Sequence, residues 1–188
     1  NITQIGPLKV VKLRQLPIKN SFNIINKRIF DFIFSTTFIL FIYWWVYLIV
    51  SIIIKIQSKG PVLFKQERVG VDGEIFMCYK FRTMHIDNTN SKEVTKIGDA
   101  RIFSFGNIMR KTNIDEFPQF INVFKGDMSV VGPRPHMVSE DKMLAEKIDK
   151  YRMRRWVKPG ITGYAAMKGY RGGDRKFRFN AKKDKFRC

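Results

Sequence analysis

Two adjacent carboxylates, Asp115 and Glu116, stand in the run Asn113-Ile114-Asp115-Glu116-Phe117-Pro118, followed by Gly126-Asp127 and then by Gly132-Pro133-Arg134-Pro135. The surrounding chain is strongly basic: among 188 residues, 35 Lys+Arg face 16 Asp+Glu, a formal net charge of +19. A carboxylate pair in such company suits phosphate chemistry with a bound Mg²⁺. That ion takes one or two carboxylates and completes its shell with substrate phosphates and water. A carboxylate at a helix N-terminus also keeps its ionised, nucleophilic form. The same residues admit a purely structural reading, in which Asn113 caps a helix and Glu116 closes a capping box. Adjacent acids project differently from a helix, so at most one of them caps efficiently.

Cations complete the chemistry. Arg134 lies between two prolines, which hold the backbone extended and reduce the entropy lost when a guanidinium docks. Bidentate binding of phosphate oxygens is its natural use, and a rigid linker with an exposed arginine is the alternative. His85 and His136 are isolated in the sequence and suggest no metal site. Cys78, inside an apolar run, and Cys188 give neither a disulfide framework nor a metal-ligand spacing, which fits a reducing, cytoplasm-facing location. The excess of positive charge calls for anionic partners: nucleic acid, anionic lipid or phosphorylated substrates. Dispersed basic residues beside a hydrophobic anchor argue against nucleic acid.

The elements that must position these groups follow from the patterning. From Phe32 to Ile54 no residue is charged, a stretch long enough for a membrane helix. It is too long for the apolar core of a cleaved signal peptide and has no small-residue cleavage site. Lys9, Lys12, Arg14, Lys19, Lys27 and Arg28 precede it; Lys55, Lys59, Lys65 and Arg68 follow, against Glu67 alone. Basic flanks mark the cytoplasmic side, so both ends are expected there and the helix is expected to dip into one leaflet and return. Asp31 favours the same shallow placement. Trp44 and Trp45 fall mid-segment, away from the interfacial positions of a simple span. Residues 1–20 read as a basic, loosely ordered lead-in without an initiator Met, and Ser58-Lys59-Gly60-Pro61 stops the helix.

Beyond Pro61 the period changes to that of strands. Val62 to Gly70 and Glu74 to Arg82 predict a hairpin turning at Asp72-Gly73. Alternation puts Ile75, Met77, Tyr79 and Phe81 on one face and Phe76, Cys78, Lys80 and Arg82 on the other, which ends in two cations. An ordinary solvated face explains Lys80 and Arg82 equally well. Residues 86–99 read as a surface loop. Helices are expected over 103–111, over 114–125 with Gly126 as its stop, and over 139–156, with Gly-punctuated loop or short strand over 160–174.

Taken together, Lys27-Arg28-Ile29-Phe30-Asp31, Gly60-Pro61-Val62-Leu63-Phe64-Lys65-Gln66-Glu67-Arg68-Val69-Gly70, Lys80-Phe81-Arg82-Thr83-Met84, Asp115-Glu116-Phe117-Pro118-Gln119, Gly126 through Pro135, and Val157-Lys158-Pro159-Gly160-Ile161-Thr162-Gly163 resemble the successive motifs of the bacterial sugar transferase family. These are the monotopic polyprenyl-phosphate phosphoglycosyl transferases, and the likeness runs in order across roughly residues 20–174. The resemblance implies transfer of a sugar-1-phosphate from a nucleotide diphosphate sugar, usually a UDP-sugar, to undecaprenyl phosphate. It implies Asp115 as nucleophile, forming an aspartyl phospho-sugar and releasing UMP, and Glu116 as its partner in holding Mg²⁺. Arg134 would bind phosphate, with Lys80, Arg82 and Arg68 neutralising the substrate. The bacterial inner membrane is the implied location, with the catalytic domain on its cytoplasmic face.

Three departures stand out. Members carry a Ser-Pro pair midway along the membrane helix where this chain has Tyr43-Trp44, so a bend needs another cause. The ending Gly169-Tyr170-Arg171-Gly172 resembles the large, hexose-transferring subclass, whose extra N-terminal transmembrane helices are absent, which reads as a fragment or shortened form. From Arg175 the chain is a basic tail unlike the family's final segment. The expected fold is α+β: a membrane-embedded, re-entrant N-terminal helix, then a small, mainly helical cytoplasmic catalytic domain with a short β-hairpin. The expected units are the lead-in 1–20, the membrane helix 21–58, the transferase domain 59–174 and the tail 175–188. Membrane lipid is a further partner, and a homo-oligomer is compatible with this plan. The competing class is a non-catalytic membrane-anchored module holding anionic lipid or a protein partner.

Overall fold

The computed structural model describes residues 2–5, 8–11, 21–86, 99–149 and 151–168. The tail 175–188 and most of the expected 86–99 loop lie outside the described residues. Within the lead-in, strands β1 (Ile2–Ile5) and β2 (Leu8–Val11) pair antiparallel, where the weak periodicity suggested no regular structure.

A continuous helical stretch covers Ser21–Gln57, 37 residues long. It comprises α1 (Ser21–Phe38), a π-helical turn (Ile39–Tyr43) and α2 (Trp44–Gln57). Backbone angles stay helical through the turn, with Tyr43 at φ −60°, ψ −40°. The π turn thus falls next to Tyr43-Trp44, where the family carries its Ser-Pro pair, and it supplies a local irregularity of the kind that bends helices. One side of the stretch, including Phe41, Trp44, Trp45, Ile49 and Ile56, is exposed apolar surface. By length and composition the stretch is able to cross a membrane.

The other side is docked on the globular part from Arg28 to Gln57. Arg28 donates from Nη1 to the Val123 carbonyl at 2.7 Å and from Nη2 to the Phe124 carbonyl at 2.8 Å. Asp31, only 2% exposed, accepts hydrogen bonds from the Val130 N–H at 2.9 Å and the Ser129 hydroxyl at 3.0 Å. Phe38 stacks on Phe120 at 3.9 Å, and Tyr43 and Tyr47 lie 6.3 and 6.0 Å from the Phe81 ring. At the far end the Phe105 N–H donates to Gln57 Oε1 at 3.1 Å. This face supplies Tyr43, Val50 and Ile54 to the main core, with Phe81, Phe103 and Met109.

The expected hairpin forms as β3 (Leu63–Val69) and β4 (Ile75–Phe81), antiparallel with Lys65 opposite Tyr79. Asp72 and Gly73 turn it with φ of 51° and 90°, the positive values for which Asp-Gly is suited. The core faces divide differently from the simple alternation: Cys78 and Phe81 are buried while Ile75 and Met77 are exposed. α3 (Ser104–Thr112) follows its apolar period, buries Met109 and carries Arg110 and Lys111 in its last turn.

The expected 114–125 helix is instead a 3₁₀ turn, Ile114–Glu116, then Phe117-Pro118, then α4 (Gln119–Lys125). Asn113 and Pro118 each force a fresh start, one by a left-handed conformation and the other by its missing N–H. The expected 139–156 helix divides into α5 (Val138–Lys147) and a 3₁₀ turn, Tyr151–Trp156. Only Asp141 and Leu144 of α5 are buried, so no sustained apolar stripe holds a longer helix to the core. β5 (Ser129–Val131) pairs parallel with β6 (Gly160–Thr162), and α6 (Tyr164–Met167) follows.

Candidate functional site

Asp115 and Glu116 share the Ile114–Glu116 turn between α3 and α4. Apolar neighbours seat it: Ile114 and Phe117 pack against the main core, and Phe117 meets Phe38 edge-on at 5.1 Å. The turn that carries the carboxylates is therefore anchored through Phe117 to Phe38, the residue before the π turn. The capping box does not form. Asn113 sits at φ 58° and its side chain makes no capping hydrogen bond.

Glu116 points instead at two cations brought from distant elements. Lys80 of β4 donates to Oε1 at 2.7 Å. Arg134 approaches as a fork, from Nη2 to Oε1 at 2.6 Å and from Nη1 to Oε2 at 3.3 Å. Glu116 is 8% exposed, and such burial raises a carboxyl pKa. Lys80 and Arg134 outweigh that cost and hold it at about 2. Asp115 has the opposite fate. Burial raises its pKa, the neighbouring Glu116 charge adds to the rise, and Lys80, Arg110 and Arg134 oppose it. It forms no ion pair among the described residues, so its carboxylate is available to a ligand.

Of the cations singled out in the sequence, Lys80 and Arg134 converge on the acidic pair. Arg82 does not. It is 6% exposed and committed to the end of α2, donating to the Ser58 hydroxyl at 2.8 Å, the Lys59 carbonyl at 3.0 Å and the Ser58 carbonyl at 2.7 Å. This buried fork ties the end of the helical stretch to the segment that follows β4, away from the acidic pair. Arg68 lies behind Arg134, donating to the Pro135 carbonyl at 3.0 Å and to Gln66 Oε1 at 2.5 Å. It supports the Arg134 loop.

Three contributors escaped the sequence reading. Arg110, read as a dipole partner of α3, is fixed by its Nε to Thr83 Oγ1 at 2.8 Å and acts electrostatically on Asp115. Asn122, fully buried, joins α4 to β4, accepting from the Tyr79 N–H at 3.1 Å and donating to the Met77 carbonyl at 2.7 Å. It thereby sets where Lys80 emerges. A buried asparagine in an amphipathic helix was the available signal, since such a group needs partners. Gly132 and Gly160 fit against each other so closely that a Cβ on Gly160 would lie 2.0 Å from the Gly132 nitrogen. The motifs at 132–135 and 157–163 are thus two halves of one packing contact, with the Gly132 N–H donating to Thr162 O at 2.9 Å.

A carboxylate pair with one member uncommitted is a donor set that suits Mg²⁺, whose remaining positions are commonly filled by substrate phosphate and water. Among the described residues no cluster of three or more His, Cys, Asp or Glu forms a closed metal cage. Acidic and basic side chains lie against one another at this site.

The fold and site define a small α+β domain docked along an apolar helix, with an acidic pair enclosed by cations at the junction. The chain belongs to the bacterial sugar transferase family, whose model matches residues 22–186. It is 40% identical over 173 residues to the UDP-glucose:undecaprenyl-phosphate glucose-1-phosphate transferase of Escherichia coli (strain K12), covering 91% of this chain and 37% of the relative. It is 42% identical over 171 residues to the protein of that name from Klebsiella pneumoniae, covering 90% and 36%. With the exopolysaccharide production protein PSS of Rhizobium leguminosarum bv. phaseoli it shares 41% over 155 residues, 80% of this chain and 77% of that one. The chain thus spans little more than a third of the first two relatives.

Proposed function

We propose that the protein transfers a sugar-1-phosphate from a UDP-hexose to undecaprenyl phosphate, with Asp115 as nucleophile. The observation that carries this reading is the division of labour within the acidic pair. Glu116 is clamped by Lys80 and Arg134 at 2.7 and 2.6 Å, while Asp115 beside it is uncommitted. Asp115 Oδ attacks the phosphorus next to the sugar, an oxygen–phosphorus bond forms, and the bond to the second phosphate breaks with its electrons leaving on UMP. The undecaprenyl phosphate oxygen then attacks the same phosphorus and releases the Asp115 carboxylate. Lys80, Arg110 and Arg134 neutralise the diphosphate as negative charge moves to the leaving group, acting as preorganised cations. Asp115 and Glu116 would hold Mg²⁺, which when bound supplies charge neutralisation for the diphosphate.

The helix is proposed to return to the face it came from, at the cytoplasmic side of the bacterial inner membrane. Contacts with the domain run from Arg28 to Ser58, about 45 Å of helix at ~1.5 Å per residue. A straight span would carry that charged domain through the hydrocarbon, at high cost. With Phe117, next to the acidic pair, packed on Phe38 at the edge of the π turn, a lipid phosphate and a soluble nucleotide sugar would meet at one surface.

Labelled UDP-glucose mixed with undecaprenyl phosphate, Mg²⁺ and the purified protein tests the activity. Release of UMP that disappears in Asp115→Asn supports it. No release with any UDP-sugar, or release indifferent to Asp115→Asn, refutes it and leaves the membrane-anchored binding module.

A further inference from the structure

Four consecutive carbonyls, Pro133 to His136, each accept a hydrogen bond from another part of the fold. Pro133 O accepts from the Gly160 N–H at 2.9 Å and His136 O from the Val69 N–H at 3.0 Å. Pro135 O accepts from Arg68 at 3.0 Å, and Arg134 O from Arg154 Nη2 at 2.6 Å. Only the last of these grips the residue whose guanidinium forks onto Glu116.

Arg154 is itself fixed. Its Nη1 lies 3.1 Å from the Tyr151 hydroxyl and 3.0 and 3.2 Å from the two ring nitrogens of His136. Its guanidinium carbon is 5.1 Å from the Tyr151 ring centroid, a cation–π distance. The Tyr151 hydroxyl meets His136 Nδ1 at 2.5 Å, and the tyrosine is 9% exposed. Next in the chain, Arg155 pairs with Asp141 of α5, so the 151–156 turn is pinned on its other side as well.

The prolines at 133 and 135 fix φ at their own positions and bias Arg134 towards extended backbone, yet neither supplies a partner for the Arg134 carbonyl. A planar guanidinium bonded to that carbonyl and buttressed by a Tyr–His pair supplies the partner and anchors the segment. We infer that Arg154, backed by Tyr151 and His136, is a positioning residue: it holds the Arg134 main chain so that the Arg134 guanidinium stays on Glu116 and faces the substrate phosphate. The inference rests on the transferase reading for its consequence and on the contacts above for its geometry.

A double-mutant cycle on the full chain tests it. Arg154→Ala is expected to lower UMP release roughly tenfold to a hundredfold, mainly in kcat, as small misplacements of a catalytic group do. Arg154→Lys, which keeps a donor for the Arg134 carbonyl, recovers part of the loss. In an Arg134→Ala background, Arg154→Ala changes the rate less than about twofold, because the two act as one unit. Additive losses, or a wild-type rate in Arg154→Ala, overturn the inference. Hydrogen exchange supplies an arm that needs no activity: Arg154→Ala speeds exchange within 132–137 and leaves α4 as in the wild type. Unchanged exchange in 132–137, or a rise that extends to α4, overturns the inference too. If the wild-type protein releases no UMP, the transferase reading fails and the exchange result alone decides the role of Arg154.

Discussion

Arg134 Nη2 and Glu116 Oε1 stand 2.6 Å apart although 18 positions separate the residues, and together with Lys80 this contact keeps Glu116 ionised. Glu116 remains ionised down to about pH 2, while burial raises the pKa of Asp115. Asp115 is therefore the carboxyl expected on the acid limb of catalysis. Attack requires its ionised form, so kcat/KM falls as pH drops through a pKa above the ordinary aspartate range. Lys80→Met removes a cation that lowers that pKa and moves the limb further up. A pH–rate profile measures both effects, and a limb at or below the usual ~3.9 contradicts the assignment.

Stability and activity are expected to part at Asp115. A carboxyl whose pKa is raised by folding prefers its protonated form in the native state, so its charge at neutral pH opposes folding. Asp115→Asn should raise the melting temperature at pH 7 while lowering UMP release by at least about a thousandfold. Differential scanning fluorimetry beside the UMP assay separates the two. A variant that melts lower shows that the ionised Asp115 supports the fold.

Glu116 has the opposite linkage. Its native pKa of about 2 lies below the ordinary 4.5 of a glutamate, so its contribution is complete above pH 4.5 and fades as pH falls towards 2. Glu116→Gln should remove this part of the acid sensitivity. At neutral pH it should cost about 1–3 kcal/mol, because the partly buried Lys80 loses its partner while the half-exposed Arg134 turns to water. Melting curves across this pH range give both numbers.

Arg82 and Arg134 are expected to respond differently although both are motif arginines. Arg82→Ala strands the buried Ser58 hydroxyl and carbonyl, costing about 1–3 kcal/mol of stability with little change in KM for the UDP-sugar. Arg134→Ala chiefly reduces the rate. Melting temperature and steady-state kinetics for the pair decide whether Arg82 touches substrate.

For topology, Ser21→Cys and Lys59→Cys should label from the same side of inside-out vesicles with a membrane-impermeant maleimide, in a Cys188→Ser background. Cys78, 1% exposed, is expected to stay silent. Labelling from opposite faces defeats the re-entrant arrangement.

Several parts of this protein were legible because they depend on neighbours in the chain. The Asp72-Gly73 turn follows from the positive φ those residues tolerate. α3 follows from the spacing of Phe105, Ile108 and Met109, and the helical stretch from an uncharged run too apolar for water. The motif order from Lys27 to Gly163 pointed to the family. The break at Phe117-Pro118 inside the expected 114–125 helix and the division of α5 from the 151–156 turn were not legible, since periodicity continues across both while packing does not.

By itself the sequence determined that a basic domain with an apolar helix would present Asp115 and Glu116 among cations, because charge, hydropathy and local backbone preference are carried residue by residue. Only the tertiary structure decided which cations those are. Lys80 near the end of β4 and Arg82 just past it stand two residues apart, yet one reaches Glu116 and the other is sealed against Ser58. The difference arises from α4 and the end of α2 docking on either side of that strand, long-range packing that no spacing along the chain encodes.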